Sequence, residues 1–271
     1  MNRFTKIGEG EYLTNSLKQL KPIIVPEQYT LDSAQFAYDM TYGKKGAHRE
    51  NNRAMDTIFA NAYQGKLAEF AIYDYLNSYG VDCSKPDIRA LGRGYWDSGD
   101  LYSGNEIISV KSSVSYMNFL RLKFDDYDEQ GRYRYGYGKY KEDDYIAYAR
   151  VLPNINRTIK DNSFEISDLI RRDALTVNDL ERLVAEETWK CDLTGFITRD
   201  EFRKEIIEED LVVEKGDKVD NLTMFDKYYY AQAGDLSDMD DLLCELSGLS
   251  IDELEQIENE LEDFHDDDLE L

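Results

Sequence analysis

The spacing of apolar positions divides the chain into elements. From residue 51, "NNRAMDTIFANAYQGKLAEFAIYDYLNSYG" has apolar or aromatic residues at 55, 58, 59, 62, 63, 67, 70, 71, 75 and 76. Gaps of three and four are the period of an α-helix, and Gly80 is its natural stop. Gly65 interrupts the pattern at a cost of about 1 kcal/mol against alanine, which implies close packing there. A shorter helix is expected over 27–42, "EQYTLDSAQFAYDMTY", with Thr30 or Asp32 near its cap. Further on the period changes to two. "GDLYSGNEIISVKSS", residues 99–113, reads as a β-hairpin turning at Ser103-Gly104-Asn105, and "DYIAYARVL", 144–152, as another strand of the same sheet. "DEQGRYRYGYGKYKED" reads as a turn between aromatic strand ends, and "SFEISDLIRRDALTVNDLERLVAEETW" as two helical pieces. In "DLTGFITRDEFRKEIIEEDLVVEKGD" a turn is followed by a helix capped by Thr198 and Glu201, then a strand. The order gives an α/β (α+β) fold, a sheet core with helices packed on it. The expected divisions are an N-terminal helical extension (1–50), a core (51–165), a mixed helix and strand region (166–234) and an acidic tail (235–271).

Composition changes this picture in two places. The 271 residues are 42% hydrophobic, enough for a core, but no apolar run approaches the roughly 18 residues of a membrane span. With no apolar leader and with three scattered cysteines, Cys83, Cys191 and Cys244, a reduced cytoplasmic protein with no membrane partner is expected. The net charge of −24 argues at first against a polyanionic partner. Yet 16 acidic and no basic residues fall from Asp235 onward, which leaves −8 for the first 234 residues. Local basic stretches remain. "YGKKGAHRENNR" supplies Lys44, Lys45, Arg49 and Arg53, and Arg132 and Arg134 alternate with tyrosines that can stack on bases. The tail's near-helical leucine spacing suits a solvated tail, a helix for a protein partner, or a DNA-mimicking segment.

Other chemistries find little support. "KCDLTGFITRDEF" is similar to half an EF-hand, but Lys190 puts a cation where the calcium loop needs a carboxylate. His48 and His265 are too few and too far apart for a histidine metal site, and neither GxxxxGK[ST] nor GxSxG is present.

The hairpin carries the distinctive residues. Alternation puts Ile107, Ser109 and Lys111 on one face and Glu106, Ile108 and Val110 on the other. The turn brings Asp100 back beside the second strand, near Lys111. Glu69 sits at the edge of the preceding helix's apolar stripe, where a helix packed across the hairpin can deliver it. Aspartate, glutamate and lysine together suit metal-assisted phosphodiester hydrolysis: the carboxylates hold a hard cation and the lysine stabilises charge on phosphoryl oxygens. The plainer readings are a turn residue for Asp100, a solvated helix residue for Glu69 and a strand-end lysine for Lys111.

On these residues the chain resembles the PD-(D/E)xK nucleases, which include many type II restriction endonucleases. The resemblance covers about residues 50–152 and rests on "GKLAEFAIYDYL" with Glu69, "WDSGDL" with Asp100, "ISVKSS" with Lys111, and the following strand "DDYIAYARV". It implies a restriction-endonuclease-like mixed central sheet flanked by helices, here with an extra helical C-terminal region. It implies Mg²⁺, with Mn²⁺ as substitute, and restriction-type, sequence-specific cleavage of double-stranded DNA. In this resemblance Asp100 and the Val110 carbonyl bind metal, Glu69 binds metal or its water, Lys111 is catalytic, and Ser112 and Ser113 lie at the DNA. A homodimer is the assembly in view where both strands are cut. One position departs: the family's second carboxylate, two residues before the lysine, is Ser109 here. Glu69 and Asp97 are the candidates to supply the missing charge. Two other readings stay open, a non-catalytic acidic adaptor or DNA mimic on a degenerate nuclease fold, and a repair or recombination nuclease.

Overall fold

The computed structural model describes residues 1–42, 55–89, 100–135, 139–161, 166, 168–169, 172, 174–254 and 256–257. Lys44, Lys45, Arg49, Arg53 and Asp97 lie outside the described residues. The chain opens with strands β1 (Thr5–Gly8), β2 (Glu11–Leu13) and β3 (Pro22–Ile24), so the helical extension expected for 1–50 is corrected. These strands are too short to show a period: β1 and β2 form a local hairpin, and distant partners complete the set, β2 pairing with Lys218–Val219 and β3 with Lys190–Asp192. Helices α1 (Glu27–Thr41) and α2 (Met55–Ser78) follow where expected. The hairpin is β4 (Leu101–Ser103) and β5 (Glu106–Val114). Then come β6 (Phe119–Lys123), β7 (Tyr133–Tyr135), β8 (Lys139–Lys141), β9 (Tyr145–Leu152), α3 (Ile155–Asp161) and a helix at Val177–Ala185. The chain continues through β10 (Lys190–Thr198), β11 (Val212–Val213), β12 (Lys218–Val219), β13 (Leu222–Thr223), β14 (Tyr228–Gln232) and a helix at Met239–Ser247.

The central sheet has the order β3-β10-β9-β5-β4. Only β5 and β9 run parallel; the other neighbours are antiparallel. The sheet separates two cores. On one face Ile108, Ala147, Ala149, Val151 and Cys191 pack against α1, α2 and the helix Val177–Ala185. On the other, Ile146, Tyr148 and Ile197 pack against the smaller sheet β11-β14-β6. Helix α2 is buried around much of its girth, at Phe59, Tyr63, Leu67, Ala68, Phe70, Ala71 and Ile72, so it is a central element rather than a surface helix. No helix of the described residues is long and apolar enough to cross a membrane.

Three expectations need correction. Residues 190–198, read as a turn leading to a helix, form the nine-residue strand β10; the Thr198–Glu201 capping box comes only at its end. Gly195 misled the reading. It sits at a bulge where the register against β9 shifts, with φ +153°, and an added Cβ would lie 2.4 Å from the Ser237 carbonyl oxygen. Conversely, a Cβ on Gly65 would meet nothing within 4 Å among the described residues, so close packing does not explain that glycine. The acidic segment also begins inside the fold: Met239, Leu242, Leu243 and Leu254 are buried in the helical core.

These placements predict opposite effects for two alanine substitutions, measured by urea unfolding. Gly195→Ala forces strain and overlap and lowers stability by about 2 kcal/mol or more. Gly65→Ala relieves helix entropy and raises it by up to about 1 kcal/mol.

Candidate active site at the β4–β5 hairpin

The hairpin turn at Gly104-Asn105 pairs Ser103 with Glu106 and Leu101 with Ile108. Asp100 is therefore the first residue past the end of the β4 ladder. Its Oδ2 takes the place of the missing strand, accepting from the Val110 N–H at 2.7 Å and from Ser109 Oγ at 3.3 Å. The N–H and C=O of one strand residue point to the same side, so the Val110 carbonyl opens into the same gap as Asp100. Lys111 Nζ donates to Ser109 Oγ at 2.9 Å. The buried Ser109 hydroxyl is thus an uncharged bridge between the ammonium and the carboxylate.

Parallel pairing fixes what faces Lys111. Ser109 lies beside Ile146, Lys111 beside Tyr148 and Ser113 beside Arg150, so these side chains share the face turned away from α2. On that face the segment from β6 to β8 crosses over the sheet. The Tyr133 ring centroid is 5.5 Å from Lys111 Nζ, and Tyr127 packs edge-on to Tyr133 with centroids 5.5 Å apart. Just before β9 stand two aspartates with different fates. Asp144 clasps β5: its N–H donates to the Ile107 carbonyl and its Oδ2 accepts from the Ile107 N–H, both at 2.9 Å. Asp143 is 3% exposed, with Lys141 Nζ 2.8 Å from Oδ1 but off the hydrogen-bonding direction. Neither of its oxygens makes a hydrogen bond, nor does the buried Tyr127 hydroxyl.

These groups feel one another's charge. Burial pushes the Asp143 carboxyl above its usual range; Lys141 and Lys111 pull it down and Asp100 pushes it up. Burial also raises Asp126, on the turn after β6, against the pull of Lys123 and Lys111. Burial holds the Tyr127 phenol well above 10, with Asp143, Asp126 and Asp100 adding to the effect. Lys111 therefore faces three carboxylates, Asp100, Asp126 and Asp143. Still, no group of three or more His, Cys, Asp or Glu side chains among the described residues is close enough to hold a metal directly.

Of the residues selected from sequence, Asp100, Ser109, Val110 and Lys111 are brought together. Glu69 is on α2, across the sheet from Lys111's face, and is paired with Lys66 one turn before it. Ser112 accepts from Gln64 of α2 at 3.2 Å. Ser113, expected at the DNA, is corrected to an interior position: it is buried and hydrogen-bonded to the Tyr148 hydroxyl at 2.5 Å. Arg132 is tied to Asp128 at 2.8 Å, and its guanidinium stands 4.8 Å from the Tyr140 ring centroid. Arg134 is exposed, 5.7 Å from the same ring. Asp126, Tyr127 and Asp143 were not singled out from sequence, whereas Tyr133 was, as one of the tyrosines expected to stack on bases. The available signal was the pair Asp143-Asp144 at the head of a strand parallel to the lysine strand.

Comparison with family models, curated proteins and solved structures gives no match to the chain.

The raised Asp143 carboxyl predicts a pH signature. The folded state holds that proton to higher pH than the unfolded chain, so above the ordinary carboxylate value of about 3.9 folding loses stability as pH rises. Asp143→Asn removes the penalty. Its melting temperature relative to wild type is expected to climb between pH 4 and pH 8; a flat difference would show that burial does not shift Asp143.

Proposed function

We propose that the chain is a Mg²⁺-dependent DNA endonuclease on a restriction-endonuclease-like core, hydrolysing phosphodiester bonds at the β4–β5 hairpin. The observation that carries this reading is the convergence of Asp100, the Val110 carbonyl and Lys111. The carboxylate closes on the lysine strand just beyond the last β4 pair, and a parallel strand follows on the other side.

The donor set fits a hard divalent cation. Among the described residues Asp100 Oδ1 has no hydrogen bond, the Val110 carbonyl faces the same gap, and the Asp143 oxygens are without hydrogen bonds. Mg²⁺ takes oxygen ligands, keeps several waters and needs only one or two carboxylates. When bound it supplies Lewis acidity toward the phosphate and a water of lowered pKa. The remaining work falls to the chain. Lys111, oriented through Ser109 and capped by Tyr133, stabilises the charge that grows on phosphoryl oxygens as water bonds to phosphorus and gives up a proton to solvent, and a P–O ester bond breaks with the leaving oxygen taking a proton from solvent. Asp100, linked to Lys111 through Ser109, balances the lysine's charge when no phosphate is bound. The arm β7–β8 leads from Tyr133, above Lys111, to exposed Arg134 beside the Tyr140 ring, a local cationic and aromatic surface for a DNA strand.

Plasmid and phage DNA incubated with Mg²⁺ or Mn²⁺ tests this, with wild type beside Lys111→Ala and Asp100→Asn. Wild type is expected to cut, and each variant to lose about 100-fold or more while still binding DNA. Discrete fragments mark restriction-type specificity. Nicking without fixed positions, lost in the variants, marks a repair or recombination nuclease. A wild type that leaves all DNA intact overturns the proposal in favour of a non-catalytic role.

A further inference from the structure

Ser109 leaves β5 without the charge that two-carboxylate metal chemistry needs. Another buried carboxylate, Asp143, lies within electrostatic reach of Asp100 and Lys111. Asp143 is nearly wholly buried, and its backbone is held at the mouth of the β5–β9 pair because Asp144 is clasped twice to Ile107. Its environment does not satisfy it. Both oxygens lack hydrogen bonds, as does the buried Tyr127 hydroxyl, which feels the Asp143 charge. Leaving a buried polar group without a hydrogen bond is costly, the more so when it is charged, and such groups in folded proteins mark bound water or ions. Lys141 answers Asp143 with one charge at 2.8 Å, yet not along a hydrogen bond.

We propose that Asp143 is the second carboxylate of the site, supplying from β9 the charge that position 109 lacks. With Asp100 it holds one hydrated divalent cation, and the Tyr127 hydroxyl serves the cation's water. The assignment rests on the nuclease reading. It accounts for buried carboxylate oxygens that an ion pair reaches but no hydrogen bond satisfies. A cation that keeps most of its waters needs only two carboxylates, and those waters satisfy the remaining polar atoms.

Mn²⁺ titrated into the purified protein, with the free ion read by electron paramagnetic resonance, tests this without reference to activity. One bound Mn²⁺ per chain is expected. Asp143→Asn is expected to weaken it about tenfold or more, and Ser109→Asp added to that variant to recover most of the loss. Thermal melts establish that each variant is folded, and Asp143→Ser stands in as a second neutral variant if Asp143→Asn does not fold. Unchanged Mn²⁺ affinity in the neutral variant, or no Mn²⁺ bound by wild type at millimolar concentration, overturns the proposal. DNA cleavage is scored separately. Mn²⁺ binding that depends on Asp143 with no cleavage supports the cation site and sinks the nuclease reading. Cleavage with an unchanged Mg²⁺ requirement in Asp143→Asn keeps the nuclease and removes Asp143 from it.

Discussion

The parallel ladder between β5 and β9 is the constraint on which the site depends. Antiparallel neighbours can be joined by a tight turn, as β4 and β5 are, but parallel neighbours need a crossover of a dozen or more residues. Here the crossover is the segment from Ser115 to Asp144, which contains β6, β7 and β8. It passes over the face of the sheet that carries Ser109 and Lys111. The residues around the lysine, Asp126, Tyr127, Tyr133, Lys141 and Asp143, all belong to it. The strand direction that places Lys111 in the sheet therefore also obliges the chain to cover it. The Asp144–Ile107 clasp sets where that cover ends, because it fixes the first register of the ladder.

A second ionic device keeps the sheet in one arrangement. Arg150 and Asp192 are direct partners across β9 and β10, with side chains 1% and 4% exposed. Removing two charges from water costs several kcal/mol each, so the pair persists only if its remaining donors and acceptors are filled. They are. Arg150 also donates to Asn118 and to the Lys18 carbonyl, and Asp192 accepts from the Lys21 N–H and from Thr194. The pair thus pins the N-terminal segment to the far side of the sheet. It differs in kind from Asp143: the first is a buried ion set with its hydrogen bonds made, the second a buried ion set with them unmade. Stability accounts for the former and leaves the latter unexplained.

The elements that sequence discloses are those with a full period of their own. Helix α2 shows ten apolar positions at helical spacing, and β5 shows the alternation that correctly sorts Ser109 and Lys111 from Ile108 and Val110. Asp100 was legible because a two-residue turn fixes which residue returns opposite which. What sequence hides is set by partners far away. Strands β1 to β3 are defined by pairing rather than pattern, and β10 is disguised by Gly195, whose turn-like signal marks a bulge against the Ser237 carbonyl. Asp143 was hidden for the same reason. Two adjacent acids before a strand look alike until the neighbouring strand's direction shows that one makes hydrogen bonds and the other does not.

On the proposed nuclease reading, the strong net negative charge and a DNA substrate are reconciled by where the charge is held. The described part of the acidic segment is no loose tail: Met239, Leu242 and Leu243 anchor its helix against β10 in the core on the α2 face. Lys111, Tyr133 and the cationic arm lie on the other face. Packed layers stand about 10 Å apart, and the Debye length is about 8 Å at physiological ionic strength. A phosphate at Lys111 is therefore separated from that helix by a packed sheet, and its charge reaches the acids mainly around the molecule through solvent, where salt screens it. At low salt the screening length grows and the acids act through it, so the same separation that shelters the site at physiological salt makes its affinity for DNA depend on two opposed terms. Attraction to Arg134 and Lys111 strengthens as salt falls, and so does repulsion from the acidic helix; the salt dependence of binding is accordingly shallower than the count of basic contacts alone would give.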